Sequence, residues 1–337
     1  MDKKSGVGRT PTLSIVTPTY NAGQYLERYF FSLKKQNFDK EQFEVLIIDG
    51  GSTDNTITIA KKYEATVVAN PYKLAEPGVK IGFREAKGNL VMVLATDNIF
   101  KDADALSRMA AVFRDSRIVA AFPKHDTAPD DSLFSRYFNT FTDPYSHFVY
   151  GKAANARTFK DEYHIVKRTD QYDVYDYRSS GVYPLIALAQ GFTVRRNELT
   201  NRQRDQFDDV LFVYSLIQQR KDIAYVHGVS LYHYTVRNLG DFVQKQRRSV
   251  ENAFVRGNSG ITQRTEYLTS AQKIRRYLFF PYALTIVFPL LQSLINTVRT
   301  KERIWLFHSI ITFLSAVVVV ETTIEVGCNN LKSRIHI

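Results

Sequence analysis

Through the first 125 residues, short apolar runs that end on polar turns alternate with amphipathic stretches. Leu13–Thr17 (LSIVT) stops at Pro18 and predicts a buried strand. Asn21 is placed to cap a helix from about Ala22 to Gln36, with Tyr25, Leu26, Tyr29, Phe30 and Leu33 on one face. Phe43–Ile48 predicts a second strand that ends at Asp49. A turn at Gly50–Asp54 and a helix to about Tyr63 follow. Thr66–Ala69 is a third strand, Val79–Lys87 a helix with Gly88 as its C-cap, and Leu90–Leu94 a fourth strand before Ala95-Thr96-Asp97-Asn98. Asp102–Phe113 reads as helix and Arg117–Phe122 as a fifth strand. This alternation predicts an α/β fold with a parallel sheet covered on both faces. Ligands of such sheets sit outside the carboxyl ends of the strands, so Thr17–Asn21, Asp49–Asp54 and Asp97–Asn98 are expected to converge on one cleft.

The pattern then changes. Asp126–Arg195 has poor periodicity and is rich in Tyr (Tyr172, Tyr175, Tyr177, Tyr183). Gln206–Phe212 places two acids ahead of a helical pattern through Leu216, and Val229–Tyr234 (VSLYHY) reads as a strand end. Further on, Tyr277–Val298 runs 22 positions without a charge and Ile304–Val320 runs 17. The first is long enough to cross a hydrocarbon core and the second is marginal. Pro281 and Pro289 predict kinks in the first segment. Basic residues flank that segment on both sides, which opposes a simple spanning hairpin. A hairpin, a re-entrant or interfacial pair, and a buried helix pair all fit the pattern.

With 44% hydrophobic and 23% charged residues in 337, the chain can bury a core, and extended disorder is excluded. The one cysteine, Cys328, excludes a disulfide framework and a Cys-rich zinc module. The opening Met-Asp-Lys-Lys-Ser-Gly has no apolar signal segment, which predicts a cytosolic start. The net charge of +11 is uneven. Thr235–Arg303 carries twelve basic residues against four acidic ones, a net of +8. Such a patch calls for an anionic partner. The apolar runs beside it favour a membrane surface, and no recognition module for nucleic acid accompanies it.

Ser14–Asn21 (SIVTPTYN), Val45–Thr56 (VLIIDGGSTDNT) and Gly82–Asn98 (GFREAKGNLVMVLATDN), in this order and spacing, resemble glycosyltransferase family 2. The resemblance is strong over residues 12–125 and weaker to about 255. It implies the GT-A fold, a Rossmann-like, mostly parallel sheet flanked by helices. It also implies inverting, metal-dependent transfer from a nucleotide sugar, with UDP the first choice of nucleotide, and Mn²⁺ or Mg²⁺ as cofactor. Pro18, Thr19, Tyr20, Asn21, Asp49, Lys80, Thr96 and Asp97 are then expected around the nucleotide sugar. The family's paired acids are halved here, since Gly50 follows Asp49 and Ala95 stands where the first acid of an Asp-x-Asp would be. Asp97 matches the second, metal-binding acid. A divalent cation held there would neutralise the departing diphosphate. Asp49, Asp54 and Ser52 also suit plain turn-capping roles.

Asp208-Asp209 resembles the family's Glu-Asp element, with Asp209 in the place of the base. A sugar hydroxyl is a poor nucleophile until a base takes its proton. An acidic helix N-terminus explains the same pair. His233 is a second candidate metal or diphosphate ligand, and Arg237, Arg247 and Arg248 are candidates for closing over the diphosphate. Tyr183, Gln190 and Arg195 are candidate acceptor contacts.

These readings predict a nucleotide-sugar half at residues 1–125, an acceptor half with the base at 126–270, and membrane-associated helices at 271–337. The expected reaction is transfer to a hydroxyl of a polyprenyl-diphosphate-linked saccharide in cell-surface glycan assembly, at the cytoplasmic face of a membrane. A polyprenyl-phosphate sugar synthase of the dolichyl-phosphate-mannose kind is the nearest alternative, although an ionised phosphate acceptor would not need the acids at 208 and 209. A processive polysaccharide synthase would need more membrane helices. A non-catalytic sugar-nucleotide-binding scaffold is the alternative of another class.

Overall fold

The computed structural model describes residues 12–155, 157–184, 191–199, 209–256 and 263–335. Two compact units emerge. The first comprises Met1–His125, His164–Asp176 and Leu188–Tyr232; the second comprises Asp126–Tyr163, Tyr177–Ala187 and His233–Ile337.

The strands are β1 (Leu13–Thr19), β2 (Phe43–Asp49), β3 (Thr66–Ala69), β4 (Leu90–Val93), β5 (Asn98–Phe100), β6 (Ile118–Asp126), β7 (His164–Arg168), β8 (Tyr172–Asp176), β9 (Thr193–Arg195) and β10 (Asp222–His233). They form one sheet in the order β3-β2-β1-β4-β9-β6-β10-β8-β7, with β5 against β10. β1, β2, β3 and β4 pair in parallel. β9 lies antiparallel between β4 and β6, and β7, β8 and β10 are antiparallel neighbours. The sheet is therefore mixed, where the sequence pattern predicts a mostly parallel one. β9 is only three residues long, too short to show a period.

Of the helices α1 (Gly23–Lys34), α2 (Thr56–Lys62), α3 (Ala75–Glu85) and α4 (Ala105–Ala111), α3 packs on β1 and β2, α2 on β3, and α1 on α2 and β5. The core of β1 and β2 is aliphatic and fully buried, as at Ile15, Val16, Ile47 and Ile48. α3 begins four residues before the predicted start and approaches β1 closely. A Cβ on Gly82 would stand 2.1 Å from Val16, so this helix–strand contact admits glycine. Gly88 does not cap α3, which ends at Glu85 with Ala86 as its C-cap. Its missing Cβ instead clears the β1 backbone, 2.6 Å from Ser14 N.

The second unit is helical: α5 (Leu133–Phe141), α6 (Pro144–Tyr150), α8 (Leu239–Arg256), α9 (Ser270–Leu284), α10 (Val287–Thr300) and α11 (His308–Ile335), while α7 (Asp209–Gln218) belongs to the first unit. Tyr137, Phe141, Val236, Phe242, Trp305 and Ile311 form its core. The Tyr277–Val298 stretch is not one helix. It is divided between α9 and α10, which meet at 96° across Thr285–Ile286. Ile286 takes a left-handed φ of 59°, and Pro289 sits in the first turn of α10, where no backbone donor is lost. Pro281, also expected to kink, lies inside α9. The segment expected to be marginal is the long one: Arg303–Cys328, 26 residues, is long and apolar enough to cross a membrane.

Candidate active site

β1, β2 and β4 run parallel and in register, so the loops that follow them lie at one edge of the sheet. Thr19 stands beside Asp49, and Gly50 N donates to Thr19 O at 2.8 Å. Pro18 and Thr19 end β1, and the Thr19 hydroxyl donates back to Thr17 O at 2.9 Å. Tyr20 is half exposed beyond them.

The loop after β2 closes on itself. Asp49 is buried, and its Oδ2 accepts from Gly51 N (2.9 Å) and Ser52 N (3.0 Å), while Oδ1 accepts from the Ser52 hydroxyl (2.5 Å). Gly51 turns the chain at φ 86°. Asn21 does not cap α1; Ala22 holds that position. Asn21 is left-handed instead (φ 46°), and its Oδ1 accepts from Thr53 N at 2.8 Å. Asp54 joins two helix starts: Oδ2 accepts from Gly23 N, and Oδ1 from Thr56 N, both at 3.0 Å. Burial raises its pKa, but the donors from Thr56 and Gly23 more than offset this and leave it below the usual value. Asp49, Ser52 and Asp54 thus have the turn-capping partners that the sequence also allowed.

The loop after β4 differs. Asn98 N donates to Ala95 O at 3.1 Å, which makes Ala95–Asn98 a tight turn. Thr96 and Asp97 are half-buried within it, and Asn98 Nδ2 donates to Asp97 Oδ1 at 2.9 Å. Lys80 is half-buried on α3.

Asp209 is the first residue of α7, an N-terminal position that suits an ionised acid. Asp208 and Gln190 lie outside the described residues. Arg195 is not an acceptor contact in this structure. It pairs with Leu90, at the amino end of β4, opposite the edge that carries Asp49 and Asp97. Its guanidinium donates to Ile118 O (2.8 Å), Phe113 O (2.6 Å) and Asp115 O (3.1 Å) and lies over the Phe113 ring. It satisfies carbonyls at the end of the α4 region.

In the second unit, His233 ends β10. Asn139 Nδ2 donates to His233 O at 2.7 Å, which fixes the amide orientation. Asn139 Oδ1, 3.0 Å from His233 Nδ1, must then accept. Nδ1 therefore carries a proton. Asn139 lies 94 residues away, so no sequence spacing could announce it. Arg237 pairs with Asp241 at 2.5 Å in the first turn of α8. Arg247 reaches Glu321 (3.0 Å) and Glu325 (3.4 Å) on α11, so it links two helices. Arg248 is exposed and makes no hydrogen bond or ion pair among the described residues. Tyr183 meets Tyr267 edge to face.

Among the described residues, no three His, Cys, Asp or Glu side chains cluster as a metal cage. A lone carboxylate such as Asp97 fits a magnesium or manganese ion only when substrate phosphates complete its shell, which is the usual arrangement for magnesium in phosphate sites.

Residues 14–175 match the sequence profile of glycosyl transferase family 2. That region is a family-2 glycosyl transferase domain. It is 30% identical over 141 residues to the O-antigen chain rhamnosyltransferase WbaN of Salmonella anatum, covering 40% of this chain and 44% of WbaN. It is 33% identical over 91 residues to the poly(ribitol-phosphate) β-N-acetylglucosaminyltransferase TarS of Staphylococcus aureus, covering 25% of this chain and 16% of TarS. The chain thus spans less than half the length of these curated relatives. Among solved structures it is similar to the mannosyltransferase PcManGT of Pyrobaculum calidifontis, in complex with GDP-Man and Mn²⁺. The TM-score is 0.53 at 14% identity, covering 93% of this chain and 88% of that one. The shared architecture is the GT-A fold, and the family-2 region includes all three strand-end loops.

Proposed function

We propose that this chain transfers a sugar, with inversion, from a nucleotide-diphosphate sugar to a hydroxyl of a lipid-linked saccharide in cell-surface glycan assembly. The observation that carries the reading is the arrangement of loops after β1, β2 and β4. They lie at one edge of a parallel sheet, inside the family-2 region, with Asp97 half-buried on the turn after β4. The names of its relatives support a cell-surface glycan, and UDP is the first donor to try.

In this reading the Tyr20–Asn21 and Asp49–Thr53 loops seat the nucleotide. Asp97, together with the donor diphosphate, would hold Mn²⁺ or Mg²⁺, and the ion would supply Lewis-acid stabilisation of the leaving group. Asp209 takes the proton of the acceptor hydroxyl. The hydroxyl oxygen bonds to the anomeric carbon as the bond to the diphosphate breaks, and the nucleoside diphosphate leaves. Arg237 and Arg248 are placed by sequence in the segment proposed to face that diphosphate.

The C-terminal helices support membrane attachment at the cytoplasmic face. α9 and α10 expose Tyr277 (80%), Phe288 (59%) and Val298 (79%), with Lys273, Arg275, Arg299 and Lys301 flanking them. We assign residues 1–125 to the donor half, 126–270 to the acceptor half and 271–337 to membrane association. The test is nucleoside diphosphate release from a panel of nucleotide sugars in the presence of a prenyl-diphosphate-linked saccharide and Mn²⁺. Wild type is expected to turn over, with Asp97→Ala and Asp209→Asn strongly impaired. Full activity of both variants would refute the mechanism.

A further inference from the structure

A cleft of about 620 Å³ lies wholly within the second unit, where α5 meets the turn that leads into α11. This size suits a small ligand or part of a larger one. Three guanidiniums line it: Arg136 on α5, Arg157, and Arg303, the first residue of the apolar Arg303–Cys328 segment. Two carboxylates, Asp126 and Glu302, oppose them. Arg157 is held in place, with Nη1 donating to Thr140 Oγ1 at 3.0 Å and Nη2 to Glu302 at 3.3 Å. Arg136 bonds only to a neutral carbonyl, Pro129 O at 3.0 Å, and Arg303 has neither a hydrogen bond nor an ion pair among the described residues. With three guanidiniums against two carboxylates, the cleft keeps a net positive charge.

Apolar side chains also line the cleft. Leu133 is 53% exposed and Leu306 48% exposed, with Phe307 beside them. An anion site walled by exposed leucines is a poor match for a free phosphate and a good one for an amphiphile. Its position at the polar end of a helix long enough for a bilayer is the depth at which lipid phosphates lie. The basic residues first expected to meet lipid phosphate lie elsewhere. Lys273 and Arg275 are exposed on α9, and Arg276 donates to the Tyr145 hydroxyl at 3.3 Å.

We propose that this cleft seats the phosphate of a long-chain lipid. Arg136, Arg157 and Arg303 hold its oxygens by charge-assisted, fork-like hydrogen bonds, and Leu133, Leu306 and Phe307 receive the first part of its chain. That the lipid is the acceptor's prenyl diphosphate rests on the function proposed above; that it is a lipid phosphate does not.

The experiment is flotation of the full chain with phosphatidylcholine vesicles containing prenyl diphosphate, the corresponding prenol, or phosphatidylglycerol. Inorganic diphosphate in detergent is a further arm. Prenyl diphosphate vesicles should bind roughly tenfold tighter than prenol vesicles, with Arg136→Gln/Arg303→Gln abolishing the difference and Arg136→Lys/Arg303→Lys restoring part of it. An unchanged melting temperature of the Gln variant would show that it folds. If the Gln variant instead loses only its preference for phosphatidylglycerol, the cleft serves a bulk headgroup: the lipid-phosphate site stands and the acceptor assignment fails. Equal binding of prenol and prenyl diphosphate, a Gln variant that keeps the preference, or inorganic diphosphate bound as tightly as the lipid would each overturn the proposal.

Discussion

Two turns at the same edge of the sheet close in different ways. After β2, Asp49 and Asp54 accept from Gly51, Ser52, Gly23 and Thr56 amides, so their oxygens organise the backbone. After β4, Asn98 N donates to Ala95 O and closes the turn, and the Asn98 side-chain amide donates to Asp97. An acid whose oxygens satisfy buried donors holds structure, because removing it strands those donors. A turn closed by its own backbone bond does not depend on its acid for closure. A further contrast lies between the buried sheet and α9–α10, whose apolar side chains remain exposed and so call for a surrounding phase.

The largest expected effect separates the two turns by activity. Asp97→Ala should lower kcat/KM by on the order of 10²–10⁴ while leaving the melting temperature unchanged. A comparable activity loss in Asp209→Asn would place the base. An Asp97→Ala protein that is active but unstable would reverse the assignment.

Membrane attachment comes next. Tyr277→Glu/Val298→Glu places two charges on the exposed faces of α9 and α10, and flotation with anionic vesicles should fall by roughly tenfold or more. Unchanged flotation would return these helices to an ordinary protein surface.

The stability effects are smaller. Asp54→Ala removes acceptors from two helix starts and should cost about 1–2 kcal/mol in urea unfolding, as for a lost cap. His147 supplies a pH test. Burial lowers its pKa from 6.5 to about 4, so between those values only the unfolded chain takes up the proton. Stability should hold above pH 6.5, fall as pH drops toward 4 and level below it, while His147→Phe loses that part of the slope.

The legible part of the sequence was the repeating part. β1 to β4 and their loops follow from aliphatic runs ending on Pro18, Asp49 and the Ala95–Asn98 turn, because buried strands need that composition. Thr66–Ala69 matches β3 residue for residue. What escaped depends on partners distant in the chain. Arg195 looks like a ligand contact in isolation, and only its place at the amino end of β4 shows it serving Phe113, Asp115 and Ile118 carbonyls. The Nδ1 proton of His233 is set by Asn139, and Arg247 is drawn to Glu321 and Glu325 on another helix. The break at Thr285–Ile286 falls at neither proline, since a left-handed Ile286 leaves no local signature. Asn21 shows a smaller error of the same kind, because its residue type suits a cap while its contact lies 32 residues away at Thr53.

The most direct measurement is the time course of nucleoside diphosphate release by the full chain in vesicles. It would use the nucleotide sugar that most raises the melting temperature with Mn²⁺, and a prenyl-diphosphate-linked saccharide as acceptor. Release that requires the acceptor, and that Asp97→Ala abolishes without loss of fold, is the predicted result. Equal release by wild type and Asp97→Ala, or no release with any donor that binds, would contradict it.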